Sequence, residues 1–172
     1  CYLETEITEN RESIKSAADT LDQDVNAKIT YDFGEKKEVV DASVLHDWLS
    51  VSDTMGVTIS QDKLAEYVKQ LAATYNTAGK SKTLNMTGGG TVEVPGASYG
   101  WKIDQAAERE QLMNDIKNGG IVEREPEYSQ RANSYKEADY GNSYVEINLT
   151  AQHLYVYKDG ALAVSTDVVS GK

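Results

Sequence analysis

The sequence predicts an α+β protein, and three observations carry that expectation. Leu64, Tyr67, Val68, Leu71 and Tyr75 form an apolar stripe at helical spacing. Ala27, Ile29, Tyr31 and Phe33 alternate as one face of a strand. Near the end, Lys158-Asp159-Gly160 separates two runs rich in Val, Leu and Tyr, which is a hairpin signal. The expected architecture is about three helices on a mixed or antiparallel sheet, followed by the first strands of a second, β-rich part.

The elements follow in order. Ile14, Ala17, Ala18, Leu21 and Val25 recur as an amphipathic helix that should end near Asp22-Gln23-Asp24. A strand over residues 27–33 turns at Gly34-Glu35-Lys36 into a short partner over residues 38–40. Asp41 then caps a short helix carrying Val44, Leu45, Trp48 and Leu49. Residues 55–59 read as a short strand, and Ser60 caps the clearest helix, which Gly79 should stop. Gly88-Gly89-Gly90 joins residues 80–87 and 91–94 as a hairpin; no Gly-Lys-Ser/Thr follows, so it is not a phosphate loop. Asp104 caps a further helix that ends at Gly119-Gly120. Residues 121–128 form a strand that Pro126 places at a sheet edge. Residues 131–140 are polar and aperiodic and read as a linker. Alternation resumes with Val145, Ile147 and Leu149, and residues 154–157 and 161–169 flank the last hairpin. Such late strands cannot bury both faces of a small sheet alone, so they should oligomerise or be disordered after Tyr140 unless covered.

Charge narrows the partners. The 172 residues carry 17 Lys+Arg and 28 Asp+Glu, a net charge of −11. Most of the excess lies in the first 62 residues, with 14 acids against 5 bases. No basic cluster exists to neutralise a row of phosphates, so nucleic acid is excluded, and a basic membrane-surface patch is missing too. No apolar run approaches the roughly 18 residues a membrane span needs, and no leader segment is expected. The one cysteine, Cys1, makes no internal disulfide and, with two histidines, a poor metal set. It reads as the arbitrary start of a fragment in preference to a lipid-bearing terminus.

Chemistry-bearing residues are few. Tyr99 and Trp101 sit in an aromatic loop, Tyr99-Gly100-Trp101-Lys102, whose rings can stack on sugars; packing is the favoured role for Trp101. Glu123, Glu125 and Glu127 would share one strand face, the paired-carboxylate pattern of a glycan hydrolase, although a solvated edge is favoured. His46 and His153 lack a nucleophile elbow nearby and read as structural. No catalytic residue, metal site or cofactor is expected.

The closing residues 144–160 resemble the first hairpin of the L,D-transpeptidase catalytic domain, with Gln152, Leu154, Tyr155, Val156 and Gly160 matching its pattern. Residues 168–172 resemble the stretch that follows. The preceding region resembles the peptidoglycan-binding-like domain found before that catalytic domain in Gram-positive members. The matching pieces are residues 29–34, 47–49, 68–75, 99–104 and 124–129.

The resemblance implies an accessory domain over residues 1–137 and the start of an all-β catalytic domain over residues 138–172. It implies a cell-wall enzyme, outside the cytoplasm, anchored by an N-terminal transmembrane helix in the parent protein. Such an enzyme cross-links peptidoglycan stem peptides through a cysteine acyl-enzyme. The family's histidine and its Ser-His-Gly-Cys motif lie downstream of the Gly-Lys stretch, so this segment is expected to be inactive alone. Peptidoglycan is the expected partner, with Tyr99 and Trp101 as candidate contacts. An acidic segment gains nothing electrostatically from anionic wall polymers, so a spacer role fits as well. The alternative is a stand-alone surface binding or spacer module.

Overall fold

The computed structural model describes residues 4–96 and 98–171, so Cys1 lies outside the described residues. In chain order the elements are α1 (Glu4–Val25), β1 (Lys28–Phe33), β2 (Lys36–Val40), α2 (Ala42–Trp48), β3 (Leu49–Val51), β4 (Val57–Ile59), α3 (Gln61–Tyr75), β5 (Lys82–Asn85), β6 (Thr91–Val94), β7 (Lys102–Ile103), α4 (Gln105–Asn118), β8 (Ile121–Arg124), β9 (Tyr128–Gln130), β10 (Tyr144–Asn148), β11 (His153–Lys158) and β12 (Ala161–Asp167). The α+β class holds, with four helices where about three were expected. The chain packs as two compact units: the part up to Tyr75 with Ile103–Ser129, and Asn76–Lys102 with the part from Gln130 on.

The first unit is built around β1. It is the central strand of a three-stranded sheet ordered β2-β1-β8, antiparallel to β2 and parallel to β8. The period-two reading holds, because Ile29, Tyr31 and Phe33 are all buried. Each such side chain contributes about 2 kcal/mol of hydrophobic stabilisation. Leu64, Val68, Leu71 and Ala72 of α3 and Leu112 and Ile116 of α4 join them in one core. Phe33 stacks on Tyr75 at 3.6 Å between ring centroids, and Trp48 meets Tyr67 edge-on at 5.3 Å. Both aspartate caps form as expected. Asp41 accepts from the Ser43 N–H, and Asp104 accepts from the Ala106 and Ala107 N–H groups at 3.1 Å.

Several expectations are corrected. Ile14 is exposed, so the buried stripe of α1 is narrower than the spacing suggested. Leu49 leaves the short helix and opens β3, which pairs with β4 through Leu49 and Ile59. The longest stripe ends at Tyr75, before Gly79, because the Thr77 and Ala78 N–H groups donate to the Trp101 carbonyl in place of helical acceptors. The strand over residues 121–128 breaks at Arg124, and a buried Pro126 sits between β8 and β9. As expected, β8 lies at a sheet edge.

In the second unit, β5 and β6 form the expected hairpin around the triple glycine. β10, β11 and β12 form an antiparallel meander. All three late strands are formed. Register puts Val145 opposite Val156 and Val156 opposite Val164, while Ile147 lies opposite Leu154, so these apolar residues share one face. On that face Val145 is 56% and Ile147 54% exposed.

The expected linker is no linker. Asp139 is buried and accepts from the Thr77 hydroxyl at 2.6 Å and from the Lys82 ammonium. Its carbonyl accepts from the Asn133 and Ser134 N–H groups. Residues 131–140 are thus irregular but packed, fixed by polar contacts that periodicity cannot reveal. Gly100 is required where it stands: its φ is 146°, and a Cβ there would come within 2.4 Å of the Ala78 nitrogen.

Candidate functional site

Tyr99 and Trp101 part company in the structure. Trp101 is only 6% exposed. Its ring stacks on Tyr135 at 4.2 Å and its indole N–H donates to the Ser134 carbonyl at 2.7 Å. Tyr99 keeps 42% of its surface exposed. Its hydroxyl accepts from the Asn133 N–H at 2.9 Å, and the Lys82 ammonium lies 5.4 Å from its ring centre. Tyr99 is therefore an exposed ring held rigidly, with little conformational entropy left to lose on binding.

Beside Tyr99 runs a groove of about 470 Å³ within the second unit. Leu84, Val92 and Val94 of the β5–β6 hairpin form one wall, and Tyr144 and Ile147 of β10 form the other. Tyr140 meets Tyr144 edge-on at 5.2 Å, and Tyr144 stacks on Tyr157 at 4.8 Å. Partial burial, then the neighbouring Tyr140 and Tyr157, push the Tyr144 hydroxyl above its ordinary pKa. Glu146 accepts from the Thr87 N–H and, at 2.6 Å, from its hydroxyl, which also meets the Tyr157 hydroxyl at 2.7 Å. The groove thus has aromatic and aliphatic walls with few polar groups, the usual character of a small-ligand site.

The first unit holds a buried ionic cluster that sequence reasoning missed. Glu108 is fully buried. It accepts from the Tyr31 hydroxyl at 2.5 Å, from both Arg124 terminal nitrogens at 2.8 and 3.0 Å, and from the Glu127 N–H at 2.7 Å. Asp115 accepts from the Arg124 Nε at 2.7 Å and from Gln111 at 2.8 Å. Burial opposes the guanidinium charge, but the bonds to Glu108 outweigh it and hold Arg124 above its ordinary pKa. Burial first, and Glu108 second, push the Tyr31 hydroxyl far above its usual range. Every partner here is consumed inside the cluster, so its chemistry is to tie α4, β1 and β8 together. The available signal was the spacing of Glu108, Leu112, Asp115 and Ile116, two acids on the buried face of one helix.

A second cavity, of about 480 Å³, opens in the same unit between α1, β4 and α4. Asp24 lines it and is 4% exposed, yet its carboxylate accepts no hydrogen bond from any described residue. Burial raises its pKa and the Lys117 charge partly offsets this. A raised native value means that the ionised group costs stability at neutral pH. The cost disappears as pH falls through the native value and is gone below the unfolded value of about 3.8. Asp24→Asn is therefore expected to melt no lower than wild type at pH 7, and its advantage is expected to vanish below about pH 4. Paired thermal melts across pH check this, and an advantage that grows on acidification contradicts it.

The remaining candidates do not assemble. Glu123 pairs with Lys37, whereas Glu125 and Glu127 lie beyond the end of β8, so the expected shared carboxylate face does not exist. His46 is exposed beside Asp47. His153 lies 2.7 Å from Asp167 and 2.8 Å from the Ser165 hydroxyl, but the Asp167 side chain is 95% exposed, so nothing fixes the order a catalytic triad requires. Among the described residues no group of three or more His, Cys, Asp or Glu side chains gathers as a metal site.

The first unit is thus an α+β body tied by a buried ionic cluster, and the second unit carries an aromatic groove with the character of a small-ligand site. Over residues 8–122 the chain matches the family described as "Putative peptidoglycan binding domain", and it belongs to that family. Among solved structures it is similar to the Ldtfm–avibactam carbamoyl enzyme, with 30% identity and a TM-score of 0.71 over 92% of this chain. It is also similar to a cysteine-to-serine mutant of the Enterococcus faecium L,D-transpeptidase, with 29% identity and a TM-score of 0.68 over 91% of this chain. The chain spans 62% of the length of each. No curated protein sequence matches it. The role of the chain is thus related to the cell wall. None of its helices is long and apolar enough to cross a membrane, among the described residues.

Proposed function

We propose that this chain is the non-catalytic front part of a cell-wall L,D-transpeptidase, and that it holds the enzyme at peptidoglycan. The observation that carries this is the family match over residues 8–122 together with structural similarity to an L,D-transpeptidase over 91% of the chain. In this reading residues 1–137 are the accessory domain and residues 138–172 open the catalytic β domain. The exposed apolar side chains of β12 support it, since further strands of such a domain would cover Leu162 and Val164. The whole protein would act outside the cytoplasm, anchored by an N-terminal transmembrane helix. It would join stem peptides through a cysteine thiolate absent from this segment, whose single cysteine is Cys1.

Within the segment, the Tyr99 groove is the glycan-contacting site and Trp101 the support that keeps the loop in place. Co-sedimentation of the chain with purified cell-wall sacculi tests this. Wild type is expected to pellet with the wall. Tyr99→Ala, which removes a rigid ring worth about 1 kcal/mol, is expected to bind roughly five-fold more weakly. A wild-type chain that stays in the supernatant would overturn the binding role and leave the segment as a spacer. Equal binding by Tyr99→Ala would move the contact elsewhere.

A further inference from the structure

We propose that the cavity between α1, β4 and α4 is a binding site for a peptide end that carries both an ammonium and a carboxylate. The ammonium would pair with Asp24 and the carboxylate with Lys117. The proposal rests on the reading that this chain binds the cell wall, and it names the stem peptide as the part held at this second site.

Four observations converge on it. First, the cavity of about 480 Å³ is of the size that small-ligand sites have. Second, Asp24 is a carboxylate on the cavity wall that accepts no hydrogen bond from any described residue. Buried polar groups normally have partners, and every fully buried side-chain oxygen or nitrogen among the described residues does have one. The unpartnered oxygens of Asp24 are therefore the part of it that still opens to the cavity. Third, Lys117 lines the same cavity, is within electrostatic range of Asp24, and forms no ion pair with a described residue. Its positive charge is supplemented by the N-terminal end of α3, whose first residue, Gln61, also lines the space. Fourth, Val57, Ile59 and Met113 supply apolar wall between the polar groups, suited to methyl and methylene groups.

The charge arrangement selects the ligand. A simple anion would meet Asp24, and a simple cation would meet Lys117. A zwitterionic peptide end satisfies both: the contact to buried Asp24 is strengthened by partial exclusion of water, and exposed Lys117 takes the carboxylate at the cavity mouth. All the residues that line this cavity fall within residues 8–122, the stretch that defines the family. The Tyr99 groove, by contrast, draws part of its wall from β10, beyond that stretch.

The test uses the full chain and an Nα-acetylated stem tetrapeptide, L-Ala-D-isoGln-L-Lys-D-Ala, with a free lysine side chain and a free terminal carboxylate. Titration followed by heteronuclear NMR should shift the amides around residues 20–24, 57–61 and 113–117. Acetylating the side-chain amine or amidating the carboxylate should each weaken binding at least ten-fold. Asp24→Asn and Lys117→Gln should do the same, and both are expected to fold, since neither side chain has a hydrogen-bonded partner to orphan. Two outcomes would overturn the proposal while leaving wall binding intact: sacculus binding with no tetrapeptide shifts at the cavity, or equal affinity for all four charge variants. Failure of wild type to bind sacculi as well as tetrapeptide would overturn both readings together.

Discussion

Arg124→Ala is expected to destabilise the first unit by roughly 3–5 kcal/mol, the largest effect of any single substitution in this chain. The guanidinium is the shared partner of Glu108 and Asp115, both buried. Removing it leaves two carboxylates in the core without a countercharge, and the Tyr31 hydroxyl cannot neutralise either. The loss is a penalty for orphaned charge, and it overstates the net worth of the cluster. Two companion variants separate these quantities. Glu108→Gln keeps the shape and is expected to cost less. A triple variant with apolar groups of similar volume at Glu108, Asp115 and Arg124 is expected to recover most of the Arg124→Ala loss. Urea denaturation measures all of them. An Arg124→Ala cost below about 1 kcal/mol, the range of exposed ion pairs, would show that water reaches the cluster.

Lys82→Met should have the second-largest effect, about 3 kcal/mol, and should act on the second unit. Lys82 is mostly buried, and its partner Asp139 almost completely so. With the ammonium gone, Asp139 keeps one side-chain donor, the Thr77 hydroxyl. Asp139 also organises its neighbours, since its carbonyl receives the Asn133 and Ser134 N–H groups, and Ser134 in turn receives the Trp101 indole. Hydrogen exchange is the direct readout. The amides of Asn133 and Ser134 should lose protection before those of β11 do. Unchanged exchange at these two amides would mean that the segment is held by the stack of Tyr135 on Trp101 and not by the ion pair.

Much of the fold was legible in the sequence because its signals are local. The β1 alternation, the Asp41 and Asp104 caps, the α3 stripe and the two glycine-bearing hairpins each depend on residues a few positions apart. The family resemblance was legible for the same reason, in short runs such as residues 99–104. Two of those runs now have a physical meaning. Residues 29–34 contain Tyr31 and residues 124–129 contain Arg124, which meet at Glu108. The site was legible only in part. Tyr99 and Trp101 were visible as aromatic residues in a loop, but the loop's sequence could not say which ring would be buried.

By itself, then, the sequence determined the helices, the main strands and their order, the acidic character and the kinship with L,D-transpeptidases. Tertiary structure alone decided that residues 131–140 are packed, that three carboxylates near Pro126 do not share a face, and that Glu108, Asp115 and Arg124 form one cluster. It also decided that Asp24 and Lys117 line the same cavity. The physical reason is the same throughout. Caps and stripes are set by near neighbours along the chain. The pairing and burial of charge depend on groups far apart in sequence, such as Lys82 and Asp139, that only the folded chain brings together.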